Sequence, residues 1–238
     1  MFTRRFSHPH LNSPVILQQI LTQIPPFRKD VDKTIYFGYT ISMKNNVYQP
    51  NFKSLSEFGH KFAQEYLSLL MFYFFTASVS GFLWEVLIFL IKENHFPNRG
   101  FLYGPWLPLY GTGAVFMYLL LFKLKRHPVK VFLYSLLIGT SLECMIGWFL
   151  DRFWGLRYWD YTDFACNFHG YICLASALGI GIAGVLWICL LSGLLQRFWF
   201  HIPEKIRRAV NTILLVLFIL DCTTALIFPN MGRDITFS

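Results

Sequence analysis

The chain has 238 residues, of which 55% are apolar and only 14% are charged, and its mean hydropathy is +0.44. A soluble domain carries about a quarter charged residues, so this composition excludes an ordinary soluble globular protein. The net charge is +8. Because the Lys and Arg residues cluster beside long apolar runs, this charge is typical of a membrane protein and does not indicate a nucleic-acid partner.

The first part of the chain is polar. Residues 1–53 contain several prolines and no sustained periodicity, so we expect a largely irregular extension. Ser54 and Glu57 then have the spacing of a capping box, and apolar residues at helical spacing follow them. This pattern predicts an amphipathic helix over 54–66 that lies at the membrane interface.

Five apolar segments follow within residues 67–228, each about 20 residues or longer and therefore able to cross a bilayer. They lie at 67–91, 102–122, 129–150, 171–195 and 209–228, and residues 229–238 form a short tail. The predicted fold class is all-α, a polytopic membrane helix bundle. Pro105 and Pro108 interrupt the start of the second segment, so its helix is expected to begin near Leu109.

Basic residues predict the orientation of the spans. Ten Lys and Arg residues flank one side of the five segments and five flank the other. The more basic side is the cytoplasmic one in membrane proteins. We therefore expect a cytoplasmic N-terminus, extracytoplasmic loops at 92–101 and 151–170, and residence in the cell membrane, with the lipid bilayer as the principal partner.

The first and third segments resemble each other at an offset of 58 residues. In both, a glycine stands one helical turn before an acid, Glu85 in the first and Glu143 in the third. An aromatic loop follows each, and a basic residue, a glycine and an aromatic residue come next, starting at Arg99 and at His169. The pattern predicts two parallel helix–loop–helix repeats, as in some transporters.

Glu85 and Glu143 are the strongest candidates for function, because a carboxylate inside hydrocarbon normally faces a cavity or a partner. The alternative is structural, with Arg99 or Arg152 reaching down to them or with each acid bonding a neighbouring helix. The whole candidate substrate-binding set lies near the two loops: Glu85, Glu143, Arg99, His169, Asn167, Tyr110, Trp159 and Asp160.

One further pattern of possible metal ligands lies in the second loop. Asp160, Asp163, Cys166 and His169 recur every three residues and are an alternative metal site, although zinc sites usually show tighter paired spacing. Asp160 is more simply read as capping a turn or pairing with Arg157. No metal and no cofactor is therefore predicted.

Glycine patterns in the chain do not indicate a nucleotide site. Gly179-Ile-Gly-Ile-Ala-Gly184 matches a dinucleotide fingerprint but lies in an apolar span with no strand before it, and it instead predicts close helix packing. The chain contains no phosphate-binding loop of the form G-x-x-x-x-G-K-[ST], so it is not expected to hydrolyse ATP itself.

Other polar and aromatic residues have simpler interpretations. Four tryptophans are expected to form an aromatic belt at one membrane boundary, namely Trp106, Trp148, Trp154 and Trp159. Asp221 is a single polar position in the last span, and we expect it to bond across helices.

Several motifs together resemble a known family. Gly104-Pro-Trp-Leu-Pro-Leu-Tyr-Gly111, Glu143, Trp159-Asp-Tyr161 and Asn167-Phe-His-Gly-Tyr-Ile-Cys-Leu174 are similar, in this order, to the family called "putative ABC-transporter type IV", which includes the transmembrane protein 229 group. The resemblance covers roughly residues 70 to 196. It implies a membrane-embedded helical fold and a connection to transport.

These observations predict a permease-like membrane protein that binds a small polar or charged solute in an outward-facing recess. Five spans make a small translocation unit, so a homodimer or a separate ATPase subunit would be its partner. An enzyme acting on a lipid substrate and a non-catalytic lipid-organising or assembly protein stay open as alternatives. The chain has no catalytic signature, which favours a non-enzymatic role.

Overall fold

A computed structural model describes residues 55–93, 100–228 and 230. Over these residues the chain consists of helices and their connecting loops, which confirms the prediction of an all-α helix bundle. Strand pairing in this part is limited to an isolated bridge between Phe168 and Ile172. The predicted extension 1–53, and the tail 229–238 apart from Asn230, lie outside the described residues.

The first helix, α1, runs without interruption over Leu55–Glu93. The stretch contains no proline, so nothing ends the helix between the predicted interfacial segment 54–66 and the predicted span 67–91. At a rise of 1.5 Å per residue the helix is about 58 Å long, well beyond the roughly 30 Å of a bilayer core. One end of α1 therefore projects past the hydrocarbon.

The second and third helices both begin at a proline. Helix α2 covers Pro108–Leu121 and continues as a 3₁₀ turn over Phe122–Leu124, so residues 102–107 of the predicted second span are not helical. Helix α3 covers Pro128–Trp154. A proline in the first helical turn has no N–H to leave unbonded, which suits it to this position. Gly155, with φ +64°, ends α3 in the left-handed conformation.

The next span contains an unexpected π-helical segment. Helix α4 covers Leu174–Val185, the π-helical segment covers Leu186–Leu191, and helix α5 covers Ser192–His201. The π turn shifts the helix face, and Trp187 within it donates from its indole nitrogen to the Ala114 carbonyl on α2 at 2.9 Å. Such turns inside helices are frequently found at functional sites.

The last helix, α6, covers Glu204–Ile227. It follows Pro203, which separates it from α5. Four helical stretches are long and apolar enough to cross a membrane, namely Gly59–Ile91, Pro128–Trp154, Leu174–His201 and Glu204–Ile227. The helix at Pro108–Leu124 is apolar but shorter.

The helices pack as two hairpins with two further helices beside them. Helix α1 packs mainly against α2 and helix α3 mainly against α4, while α5 and α6 both contact α1. A buried core joins these elements and consists of Leu69, Tyr73, Met117, Tyr118, Leu121, Val131, Trp187, Ile188 and Trp199.

Large apolar side chains also cover the lateral surface. Leu83 on α1, Leu137 on α3, Ile182 on α4 and Leu220 on α6 are all more than half exposed. A water-soluble monomer rarely exposes so much contiguous apolar surface. Together with the four long apolar helices, this surface identifies an integral membrane protein.

Candidate functional site

The two acids that the sequence singles out each accept a hydrogen bond from a tyrosine. The Tyr110 hydroxyl at the start of α2 donates to Glu85 Oε1 on α1 at 3.0 Å. The Tyr161 hydroxyl, in the loop between α3 and α4, donates to Glu143 Oε1 on α3 at 3.1 Å. Each hairpin therefore carries one carboxylate–phenol pair.

The two pairs meet in one place, which we call the acid–phenol cluster and define as Glu85, Tyr110, Glu143 and Tyr161. Every pair among these four side chains lies within electrostatic range. The second oxygen of Glu143, Oε2, is buried without a hydrogen-bond partner in the described part of the chain. Ser176 lies beside this carboxylate, but its hydroxyl donates to the Cys173 carbonyl at 3.0 Å.

Glycines bring the helices of each hairpin close together near the cluster. Gly81, one turn before Glu85, touches the Tyr110 ring so closely that a Cβ at this position would overlap it. Gly139, one turn before Glu143, is packed as closely as Gly81, because a Cβ at Gly139 would overlap the Ile180 side chain on α4. The two glycines thus allow the close approach that small residues provide between membrane helices.

A second pair of glycines repeats this correspondence. A Cβ at Gly111 on α2 would lie 2.6 Å from the Phe74 carbonyl oxygen, and one at Gly181 on α4 would lie 2.6 Å from Cε2 of Phe132. Phe74 and Phe132 are 58 residues apart, as are Gly81 and Gly139. Their partners in α2 and α4 are in each case 70 residues apart, so these two close contacts occur at corresponding positions in the two hairpins.

The loop of residues 100–107 is fastened to α6 by Asp221. This carboxylate accepts from the backbone N–H of Tyr103 at 3.0 Å, from that of Gly104 at 2.9 Å and from the Trp106 indole at 2.6 Å. Asp221 was expected to bond across helices, but these partners lie in the non-helical loop that precedes α2. Trp106 is 7% exposed and packs in the core, so its predicted place in an aromatic belt is wrong.

The loop of residues 155–173 is held by an ion-pair network around Asp151. Arg157 donates to Asp151 Oδ2 from Nε at 3.0 Å and from Nη2 at 2.8 Å, and the Tyr171 hydroxyl donates to the same oxygen at 2.8 Å. These contacts with Asp151 raise the pKa of Arg157 and the pKa of Tyr171. Arg157 Nη1 also lies 3.6 Å from Asp160.

Three of the predicted site residues brace this loop from within. Asp160 caps a turn by accepting from the Thr162 N–H at 2.9 Å, and its hydrogen bonds with Thr162 lower the pKa of Asp160. Trp159 donates from its indole to the Tyr171 carbonyl at 2.8 Å. Asn167 donates to two loop carbonyls at 2.9 Å each and accepts from the N–H of Gly170.

Two predicted site residues remain, His169 and Arg99. His169 has φ +52° and its ring meets the Phe168 ring edge-on at 4.8 Å, so it forms part of the loop turn. Arg99 lies outside the described residues. Burial raises the pKa of Tyr161, which keeps its hydroxyl protonated and able to donate to Glu143. The structure thus brings together Glu85, Glu143 and Tyr110. The loop candidates Trp159, Asp160, Asn167 and His169 instead stabilise the loop that follows α3.

The alternative metal site does not form. Asp160, Asp163, Cys166 and His169 all lie in the described loop, yet no three His, Cys, Asp or Glu side chains of the described chain are placed to hold one metal ion. Asp160 is instead engaged with Thr162 and Arg157.

We call the end of the bundle that carries the acid–phenol cluster and the two loops the loop end.

A second buried polar group, absent from the sequence-based candidates, lies at the opposite end of α1. Arg207 on α6 donates to Glu65 on α1 at 2.7 Å, and both side chains are nearly inaccessible. Asn211 donates to the backbone and side-chain oxygens of Ser68 at 2.9 and 3.0 Å. Gln196 on α5 is 1% exposed, and both of its amide atoms lack a partner among the described residues.

Sequence signals for the missed residues exist but are weak. Gln196 and Asn211 are isolated amides in apolar helices, and such residues often bond across membrane helices. Glu65 lies in an amphipathic segment and Arg207 in a basic flank, where charged residues are ordinary. Nothing in the local sequence indicates that these two residues, 142 positions apart, lie side by side. Tyr161 stands within a recognised motif, but its reach to Glu143 depends on how the loop returns.

Comparisons with curated proteins and with solved structures gave no match. A family model described as "Putative ABC-transporter type IV" matches residues 72–226, which is more than half of the chain. The matched region contains the acid–phenol cluster, both loops and Asp221. This integral membrane protein therefore belongs to that family.

Proposed function

We propose that the protein is a permease-like membrane component that binds a small polar or charged solute in a recess at the loop end. The observation that carries this proposal is the acid–phenol cluster, in which two carboxylates and two phenols from separate hairpins converge. A carboxylate costs several kcal/mol in the hydrocarbon region, so two neighbouring ones are retained where they bind something.

The chemistry of the cluster favours a solute with positive charge or with several hydrogen-bond donors. Each carboxylate accepts a bond from a phenol, and a carboxylate has about four lone-pair sites, so one phenol does not use the whole accepting capacity of either acid. The buried Oε2 of Glu143 adds an acceptor without a partner among the described residues. The two phenols fix the orientation of the acids toward the solute.

The resemblance between the contacts of the two hairpins supports a transport role. The close contacts of Gly81 and Gly139, and those of Gly111 and Gly181, occur at the same relative positions in the two hairpins. We interpret the hairpins as parallel repeats related by an axis along the membrane normal. In transporters built from repeats, the substrate site lies at the interface between the repeats, which is where the acid–phenol cluster lies.

Buried polar groups along the bundle support a route through it. Glu65 and Glu85 are 20 residues apart on α1, or about 30 Å at helical rise, which matches the bilayer core. Between these levels the hydroxyls of Ser78 and Ser135 are buried and have no partner among the described residues. The Ser78 hydroxyl lies against Gly111 within the first hairpin and the Ser135 hydroxyl lies against Gly184 within the second, so a route that separates the helices of either hairpin would expose one of these hydroxyls.

The orientation, membrane and partners form part of the same proposal. Because the basic flanks favour a cytoplasmic N-terminus, the loop end would face the exterior, and the protein would reside in the cell membrane. The chain carries no phosphate-binding loop of its own. Transport driven by ATP would therefore need a separate ATPase subunit, and transport without it would use a homodimer.

Native mass spectrometry of the protein, gently extracted from its own membranes, tests the proposal. We expect a bound small solute on the wild type that is lost in Glu85→Gln and Glu143→Gln and weakened in Tyr110→Phe. The matched control is Glu204→Gln, which removes a carboxylate that pairs with Lys61 at 3.8 Å at the opposite end. This control should keep the solute.

Thermal unfolding of the same variants separates binding from folding. Loss of the solute with unchanged unfolding temperature supports the binding role of the acids. If Glu85→Gln combined with Glu143→Gln lowers the unfolding temperature but leaves every bound species in place, the cluster is structural and the proposal is wrong. A co-purifying ATPase subunit would identify the energy source.

A further inference from the structure

A groove of about 410 Å³ opens on a different face of α3 from the acid–phenol cluster. Its walls come from α3 and from the loop that follows, and include Ser141, Cys144, Met145, Trp148, Phe168 and Ile172. Volumes of roughly 300–1,000 Å³ are typical of sites for small ligands. The groove lies on a different face of α3 from Glu143. Gly139 and Gly147, each one turn from Glu143, contact α4 and the loop, and neither of them lines the groove.

The loop wall of the groove is fixed in place before anything binds. Phe168 donates from its backbone N–H to the Ile172 carbonyl at 2.9 Å, and Tyr171 donates to the Phe168 carbonyl at 3.0 Å. The turn between them uses positive φ angles at His169 and Gly170. Non-glycine residues in this region are uncommon and often mark functional segments. The turn holds Phe168 and Ile172 side by side against α3.

The groove offers hydrocarbon rather than hydrogen bonds. Hydroxyls at its base are already used, because Thr140 donates to the Leu136 carbonyl and Ser141 donates to the Leu137 carbonyl at 2.7 Å. The apolar side chains around them stay accessible, with Met145 64% exposed and Trp148 49% exposed. From Thr140 to Trp148 the groove follows α3 for about 12 Å at helical rise. Its shape and chemistry suit a single extended alkyl chain.

A cation stands at the loop end of this groove. Arg152 follows Trp148 by one helical turn, so both side chains leave the same face of α3. Its side chain is exposed, and it makes no ion pair with another described residue, in contrast to the engaged Arg157. A guanidinium binds phosphate oxygens well, and a tryptophan beside it is typical of the level of lipid headgroups.

We infer that the groove holds one acyl chain of an anionic phospholipid whose phosphate pairs with Arg152. The hydrocarbon lining and the adjacent guanidinium match the two halves of such a molecule, which is the charge complementarity that selects this occupant. Bulk lipid contacts every exposed helix face without choosing a headgroup. A lipid in this groove is held as one molecule per chain and is chosen by charge.

Lipid titration of the delipidated full-length protein, followed by native mass spectrometry, tests the inference. The probes are palmitoyl-oleoyl phosphatidylglycerol, which is anionic, and the phosphatidylcholine with the same chains. The wild type should retain one phosphatidylglycerol molecule in preference to phosphatidylcholine. Arg152→Gln should reduce that preference about tenfold, because it removes the cation that favours the net negative headgroup of phosphatidylglycerol over phosphatidylcholine, whose choline offsets its phosphate charge. Arg197→Gln, which changes another exposed cation, should leave the preference unchanged.

Filling the groove tests the chain-binding half independently. Ser141→Trp and Met145→Trp each place an indole in the groove and should abolish retention of both lipids. Leu133→Trp adds the same indole at an exposed position two turns away and should not. Two groove variants are used so that a folding defect in one, seen as a lower unfolding temperature, leaves the other decisive.

Equal retention of the two lipids by the wild type would overturn the inference. So would an unchanged preference in Arg152→Gln, or full retention in a correctly folded groove-filling variant. These outcomes are independent of solute binding at Glu85 and Glu143, so failure of one proposal does not imply failure of the other.

Discussion

Replacing Asp221 with asparagine is expected to release the loop of residues 100–107 from α6. The carboxylate accepts three hydrogen bonds, one on Oδ1 from Tyr103 N–H and two on Oδ2 from Gly104 N–H and the Trp106 indole. An asparagine side chain keeps one oxygen and replaces the other with NH₂, which cannot accept. At least one of the three donors then faces another donor.

The expected cost follows from these contacts. A hydrogen bond to a charged group contributes about 1.5–3 kcal/mol, and an unmatched donor adds a similar penalty where it is buried. Asp221 is half-buried and Tyr103 is 56% exposed, so solvent weakens both contributions and the total does not exceed the lower bound of their sum, about 3 kcal/mol. We therefore expect about 2–3 kcal/mol, which corresponds to about a 30- to 140-fold change in the opening equilibrium of the loop.

Hydrogen exchange measured by mass spectrometry on the protein in detergent micelles reads this equilibrium directly. Peptides that cover residues 100–107 should exchange about 30- to 140-fold faster in Asp221→Asn than in the wild type. Thr223→Ala is the matched control, because among the described residues its hydroxyl donates to the Ile219 carbonyl of its own helix and makes no hydrogen bond with the loop. Exchange that is as slow in Asp221→Asn as in the control would refute the assignment of Asp221 as the anchor.

Three further substitutions test the packing of the bundle by thermal or denaturant unfolding in micelles. Arg207→Leu should destabilise by about 3–5 kcal/mol because it leaves Glu65 buried without its partner, and replacing both by leucine should recover most of the loss. Additive losses in the double variant would contradict this. Gly111→Ala should cost about 1–3 kcal/mol, since its Cβ would overlap the Ser78 hydroxyl, and an unchanged unfolding midpoint would argue against the close contact. Gly170→Ala should cost about 1–3 kcal/mol because φ is +73° and the new Cβ would lie 2.5 Å from a loop carboxylate; an unaltered loop exchange rate would refute it.

The candidate site could be predicted from the sequence only in part. Glu85 and Glu143 stand out because an ionisable residue within an apolar helix is rare and costly, and this is visible in the one-dimensional pattern. Tyr110 was among the candidates on its motif, but its bond to Glu85 was not foreseen. Tyr161 was missed as a donor, since its position depends on the path of a loop rather than on helical spacing.

The start of α2 was predicted because the sequence carries a strong signal there. Pro108 begins this helix for a steric reason that depends on that residue alone, whereas Gly155, which ends α3 beyond the predicted span 129–150, was not singled out. The continuity of α1 through the predicted interfacial segment and the π-helical segment Leu186–Leu191 were not predicted. The π turn accompanies a contact made by Trp187 with another helix, and no local pattern encodes that contact.

The sequence by itself determined that this is a helical membrane protein of a particular family, because length and apolarity of a segment decide whether it can satisfy its backbone bonds inside a bilayer. Only the tertiary structure decided which polar residues meet. Glu65 meets Arg207 and Asp221 meets Trp106 across more than a hundred residues. Such pairs form because a polar group buried in a low-dielectric bundle must find a partner wherever the fold provides one.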